Sequence, residues 1–286
     1  MVGARQVPFL RCGRAGGRRV LFHYGTPGTR LLGPRITRVV ELLDIDLVVV
    51  DRPGYGPCTR RPGRRVVDVV DDVASVADHL GWGRFATCGG SGGGPHALAC
   101  AAALSDRVER CACVVSPAPY GAEGLDWFDG MPPGNVEEFS LALQGEEACR
   151  PLIERLAADA VAAVRAGTIA LGPQYQLTDA DTAALQARLD DPGYVERTIA
   201  AHCEGIDGWI DDCMALTRPW GFDPAEIKLP VSVCSAIDDS LCPSGHGEWL
   251  AAHIPDAELR ILPHGHILEE DDLQAVFRWL LPLDAP

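Results

Sequence analysis

No stretch of the 286 residues stays apolar over the ~20 positions that a membrane-spanning helix requires. The arginine-flanked start carries only the short apolar run Val7-Pro8-Phe9-Leu10. That is too short for the core of a secretion signal, so the chain reads as cytoplasmic. Lysine is nearly missing, with Lys228 the single one in the chain. No Gly-Lys-Ser/Thr follows a glycine-rich loop, and the loop after the first strand lacks G-x-G-x-x-G, which argues against phosphate-cradling and dinucleotide-binding loops. Excess positive charge is also missing. The formal net charge of −15 disfavours nucleic acid or an anionic membrane as the main partner. Residues 1–65 are an exception, with 13 arginines against 4 acids, but these arginines are scattered among Gly and Pro and read as a solvated face. The 11 cysteines are odd in number and irregularly spaced, which argues against a disulfide framework. Several fall in apolar runs (Cys88, Cys100, Cys111, Cys113, Cys234) and read as small core residues in a reducing compartment.

Strand and helix patterns alternate in the first third. Residues 19–24 form a short apolar run ended by Gly25-Thr26-Pro27-Gly28, a turn signal. Residues 46–50 are β-branched and apolar on both faces, as in a strand buried in a parallel sheet. Residues 66–80 follow helical spacing, 85–88 a strand, 95–104 an Ala-rich helix and 111–115 a strand. Between 120 and 226 no convincing buried strand occurs. Helical stretches predominate there, at 136–144, 149–166, 179–189 and 194–216, and Thr178 followed by two acids marks a helix start. Alternation then resumes, with strands at 230–236 and 258–262, a helix over 248–253 and a closing amphipathic helix at 268–281. The pattern implies an α/β fold: a mostly parallel central sheet with helices on both faces and an inserted helical cap. The expected division is a core of residues 1–119 and 227–286 and a cap or lid of residues 120–226.

The most informative segment is Gly89-Gly90-Ser91-Gly92-Gly93, which matches G-x-S-x-G between an apolar strand and a helix. A serine on so sharp a turn must adopt a strained backbone, and the flanking glycines let strand and helix approach each other. Its hydroxyl is then held at the carboxyl edge of the sheet, with the free N–H groups of the next helix aimed at a developing oxyanion. A glycine-rich turn with an incidental serine is the competing reading, and the strand–helix context weighs against it.

Four segments together resemble the α/β-hydrolase fold superfamily: Tyr24-Gly25-Thr26-Pro27-Gly28, Asp51-Arg52-Pro53-Gly54-Tyr55-Gly56, the serine turn, and a late acid with His266. They occur in that family's order and cover the chain from about residue 18 onward, apart from the insertion. The run Arg218-Pro219-Trp220-Gly221-Phe222-Asp223-Pro224 is similar to a bacterial subgroup of generic α/β-fold hydrolases. The resemblance implies Ser91 as nucleophile, a late acid and a later histidine. Gly265-His266 aligns with the family's Gly-His pair, which favours His266 over His264 as the base. The family's acid stands four residues before a proline, which favours Asp239, four before Pro243, over Asp238. The implied oxyanion donors are the backbone N–H groups of Thr26 and Gly92. The sequence departs from the family at its usual His-Gly pair, here Tyr24-Gly25, with His23 one place earlier and read as a strand histidine. The Asp51-Arg52 turn is expected to brace loops.

Other residues receive bland readings. His96 reads as a helix-surface residue, and His246 and His253 as solvent-facing helix residues. Trp127, Phe128, Trp209, Trp220 and Phe222 read as core aromatics with a minority role in lining a pocket. Glu204, Asp207, Asp211 and Asp212 read as a solvated acidic helix face, against a substrate-amine site of the kind some aminopeptidases of this fold use.

The expected activity is a serine hydrolase that cleaves an ester, lactone, thioester or amide of a small organic substrate through an acyl-enzyme. Three alternatives are a non-hydrolytic cyclase, lyase or acyltransferase, a proline-iminopeptidase-like aminopeptidase, and a ligand receptor that retains the three residues. A serine at position 91 argues against epoxide hydrolases and haloalkane dehalogenases, which need a carboxylate there. No metal or organic cofactor is implied. The expected partner is a small-molecule substrate, not nucleic acid or membrane, with homodimerisation left open.

Overall fold

A computed structural model describes residues 5–282. The outermost residues of the expected core, 1–4 and 283–286, lie outside the described residues. Seven strands form one sheet: β1 (Phe9–Gly13), β2 (Arg18–His23), β3 (Ile45–Val50), β4 (Phe85–Gly90), β5 (Val108–Val114), β6 (Val231–Ala236) and β7 (Ala257–Leu262). Their order is β1-β3-β2-β4-β5-β6-β7. Only β1 runs antiparallel, pairing Phe9 with Val50 and Gly13 with Asp46 on β3, and every other neighbour pair is parallel. The expected α/β class with a mostly parallel sheet is thus the observed one.

The ten α-helices among the described residues are α1 (Pro34–Leu42), α2 (Val70–His79), α3 (Gly94–Ala103), α4 (Pro133–Gln144), α5 (Glu146–Arg165), α6 (Asp179–Gln186), α7 (Tyr194–His202), α8 (Ile206–Leu216), α9 (Ser244–His253) and α10 (Glu270–Leu280). All six residues of β3 are buried, so its alternate side chains feed two cores. Val48 and Val50 join a cluster with Val73 of α2, Leu98 of α3 and Leu250 of α9. Leu47 and Val49 join the other, with Val39 of α1 and Phe277 of α10. Helices therefore cover both faces of the sheet. No described helix is long and apolar enough to cross a membrane.

Helices α4 to α8 all lie in the connection from β5 to β6. They have a core of their own, built from Ile153, Trp209, Ile210 and Cys213, into which Tyr55 from the β3–α2 loop inserts. Residues 194–216, read from the sequence as one helix, are two, divided at 203–205. Packing explains the break. Gly205 and Gly208 lie flat on the Tyr55 ring, and a Cβ at Gly208 would fall 2.4 Å from the ring's Cδ2. Glu138 of α4 is buried in this core and accepts hydrogen bonds from Trp209 Nε1 (2.6 Å) and the Tyr175 hydroxyl (3.3 Å).

Candidate active site

The carboxyl ends of β2, β4, β6 and β7 carry the residues of interest, as is usual for ligand sites in open parallel sheets. β4 runs directly into Ser91, whose φ is 52°, and then into α3. For a residue with a Cβ this left-handed conformation costs about 1–3 kcal/mol and persists only where the surroundings enforce it. Here they do. A Cβ at Gly89 would fall 2.2 Å from the Gly93 carbonyl oxygen, and one at Gly93 would fall 2.2 Å from that of His23. The glycines two before and two after the serine thus allow β2, β4 and α3 to crowd around it.

β6 leads to Asp239, which is buried. Its Oδ1 accepts the backbone N–H groups of Leu241 and Cys242, both at 2.9 Å. The loop after β7 brings His266 to the same carboxylate, with Nδ1 2.8 Å from Oδ2 and 3.0 Å from Oδ1. Burial opposes protonation of His266, but the Asp239 charge and hydrogen bond outweigh it and raise the imidazole above its ordinary range. Cys242 links this pair to the serine: its backbone is held by Asp239, and its thiol meets the Ser91 hydroxyl. Gly25 lies on the other side of Ser91, where a Cβ would fall 3.2 Å from the serine Cβ. Thr26 packs on Gly92 so closely that a Cβ there would fall 3.3 Å from the Thr26 backbone nitrogen. All five residues expected from the sequence (Ser91, Asp239, His266, Thr26, Gly92) thus sit at this one edge of the sheet. Asp238 is exposed, and its backbone N–H donates to the His264 carbonyl. His264 turns away to pair with Asp272 of α10 at 2.8 Å.

Several bland readings need correction. Asp211 and Asp212 on α8 are not a solvated face, since both are buried. Arg64, among the arginines read as solvated, is buried against Asp212 together with Arg52 of the loop-bracing turn, their guanidinium nitrogens each 2.5 Å from it. Asp212 also accepts the hydroxyls of Tyr55 and Thr26, both at 2.8 Å. Burial alone would raise its pKa, but the two guanidinium charges hold it far below the carboxylate range. Arg52 passes the brace on, donating to the carbonyls of Tyr24 (2.6 Å) and Gly25 (2.8 Å). The expected loop-bracing role of the Asp51-Arg52 turn is therefore visible atom by atom: Asp51 holds Arg30, and Arg52 holds the Tyr24–Gly25 backbone to α8.

His96 is buried, not on the helix surface, and donates from Nδ1 to the Gly92 carbonyl at 2.9 Å. Burial first, and the Arg52 charge second, push it down to about 3, so it stays neutral. His246 is buried too, and its Nδ1 accepts the Ala118 N–H at 3.1 Å. The core reading of the tryptophans holds. Trp127, Trp209 and Trp220 are buried, and Trp127 donates to the Ala118 carbonyl at 2.7 Å. The acidic pair in α8 was visible in the sequence, but its neutralisation by arginines was not.

Replacing Asp212 with alanine would leave Arg52 and Arg64 buried without their counter-charge. Loss of one partner from a buried ion pair costs about 3–5 kcal/mol. Chemical denaturation of Asp212→Ala is therefore expected to show a stability loss of that order. A loss under about 1 kcal/mol would mean the network contributes little.

Residues 18–272 match the model of the alpha/beta hydrolase fold family. The chain is 24% identical over 220 residues to a pimeloyl-[acyl-carrier protein] methyl ester esterase of Nitrosomonas europaea, covering 76% of each. Among solved structures it is similar to the enol-lactonase of Burkholderia xenovorans LB400, with a TM-score of 0.70, 19% identity and 98% of both chains covered. It is also similar to a thermophilic esterase of Thermogutta terrifontis, with a TM-score of 0.67, 21% identity, and 96% of this chain and 93% of that one covered.

Proposed function

The chain belongs to the alpha/beta hydrolase fold family, and we propose that it is a serine hydrolase cleaving an ester, lactone, thioester or amide of a small organic substrate. The observation that carries this reading is the hydrogen bond from His266 Nδ1 to Asp239, which leaves Nε2 as the nitrogen with a free lone pair. Ser91 is the nucleophile, His266 the base and Asp239 its orienting partner. Oγ attacks the substrate carbonyl carbon while its proton passes to His266 Nε2. The N–H groups of Thr26 and Gly92 stabilise the tetrahedral oxyanion, each donor contributing about 3–4 kcal/mol in such sites. Collapse breaks the bond between the carbonyl carbon and the leaving group, which takes its proton from the imidazolium; a water deprotonated by His266 then attacks the acyl carbon, the bond to Ser91 Oγ breaks, and His266 returns the proton to Oγ as the acid leaves.

The names of the similar proteins, esterases and an enol-lactonase, support ester or lactone bonds as the substrate class. The aminopeptidase alternative loses support because Asp211 and Asp212 are already neutralised by Arg60, Arg52 and Arg64 and cannot also hold a substrate amine. Residues 120–226 are read as a cap over the core of residues 1–119 and 227–286. Their own hydrophobic cluster supports that division.

Incubation of the folded protein with a fluorophosphonate, followed by peptide mapping, is expected to give a single adduct on Ser91. An adduct elsewhere, or none, would overturn the nucleophile assignment. A series of p-nitrophenyl esters of graded chain length would then measure the acyl group the site accepts.

A further inference from the structure

We propose that Asp181 is a positioning residue: carried on α6 of the helical insertion, it clamps the loop bearing His266 and so ties the seating of the insertion to the orientation of the general base. The proposal rests on the reading of His266 as that base. Asp181 is 1% exposed. Its Oδ1 accepts the Ile267 N–H at 2.7 Å, and its Oδ2 accepts the Thr178 hydroxyl at 3.0 Å. The same carboxylate lies against Gly265, where a Cβ would fall 2.1 Å from Oδ2. One buried side chain thus holds the backbone on both sides of His266, and Gly265 is the residue that lets it come so close.

The contrast with Asp212 sharpens the inference. Asp212 is neutralised by two arginines, whereas among the described residues no arginine or lysine forms an ion pair with Asp181. Its carboxylate is met by the loop amide of Ile267 and by the Thr178 hydroxyl, and it stands in the first turn of α6, where the helix favours an anion. The charged groups that act on His266 are Asp239 from the β6 loop, Asp181 from α6, and Arg188 just beyond α6. The two carboxylates favour the imidazolium and the arginine opposes it. As Ser91 gives its proton to His266, the positive charge forms beside two anions, one on the core and one on the insertion. A role confined to capping α6 would account for the Thr178 contacts but not for those to Gly265 and Ile267.

The test uses Asp181→Asn and Asp181→Ala in the full chain, with two readouts. The first is the NMR titration of His266 in protein labelled with ¹³C at histidine, assigned by comparison with His266→Gln. The second is the rate of fluorophosphonate labelling of Ser91 at a pH where His266 is neutral. Both variants should titrate His266 at lower pH than the parent, because one anion is gone. Asp181→Asn keeps an oxygen for the Ile267 N–H and should be labelled within about tenfold of the parent rate. Asp181→Ala frees the loop and should be slowed about tenfold to a hundredfold, as expected for a base displaced by around an ångström. An unchanged titration in Asp181→Asn, or parent-rate labelling of Asp181→Ala, would overturn the proposal. A parent protein that is not labelled at Ser91 would instead overturn the hydrolase reading, while the His266 titration would still decide whether Asp181 acts on the imidazole.

Discussion

Ser91→Ala is expected to lower kcat/KM for a cleavable ester by about a millionfold, the scale on which serine-based hydrolysis depends on its nucleophile. Stability should hardly change. Alanine has a Cβ like serine and inherits the same strain at φ 52°, and Ser91 is only partly buried. The thiol of Cys242 neighbours the Ser91 hydroxyl. Burial and the Asp239 charge keep it protonated, with a pKa well above that of a free thiol, and a protonated thiol is a weak nucleophile. Residual activity should therefore be only what oriented binding and the two proposed oxyanion donors can give. The measurement is kcat/KM on a p-nitrophenyl ester, with denaturant unfolding as the folding control. A folded variant that keeps more than about 1% of parent activity would mean that Ser91 does not attack the substrate.

The legible and illegible parts of this molecule divide by the range of the interactions that make them. The β4–Ser91–α3 turn was legible because its requirements are local: an apolar strand, glycines where a Cβ would strike backbone, and a helix starting at once. The Thr178 start of α6 was legible for the same reason, and its side chain does accept the Asp181 N–H. β1 is hard to read in the sequence because Arg11 interrupts its apolar pattern. It is a half-exposed edge strand, and Arg11 is held by Asp46 on β3. α1 is hard to read in the sequence because only Val39 and Val40 of its residues are fully buried. The bracing of the site was the least legible part. Asp212 lies 160 residues from Arg52 and 148 from Arg64, and Asp181 lies 86 residues from Ile267. Acids on a helix give the same local pattern whether they face water or a buried guanidinium. Only the packing of α8 against the β3–α2 loop decides which.

Asp239→Asn is expected to lower kcat/KM by about ten-thousandfold, whereas Asp238→Asn should stay within about twofold of the parent. The two aspartates are adjacent, and the geometry separates them. Asp238 is exposed, and its one described tie to the histidine loop is through its backbone N–H. Asp239 offers Oδ1 to two backbone N–H groups at 2.9 Å and Oδ2 to His266 Nδ1 at 2.8 Å. An asparagine there has no free choice of orientation. Its oxygen must stay with the N–H groups of Leu241 and Cys242, so its NH2 faces Nδ1. Two donors cannot face each other, and His266 must then accept at Nδ1 and carry its proton on Nε2. In the proposed mechanism that nitrogen takes the proton from Ser91, so the base is lost although the fold and the hydrogen-bond count survive. The loss should appear in kcat rather than KM, since the substrate still meets the same surface. A large loss in Asp238→Asn with a near-normal Asp239→Asn would move the orienting role to Asp238 and contradict the Oδ2–Nδ1 contact on which the proposed mechanism turns.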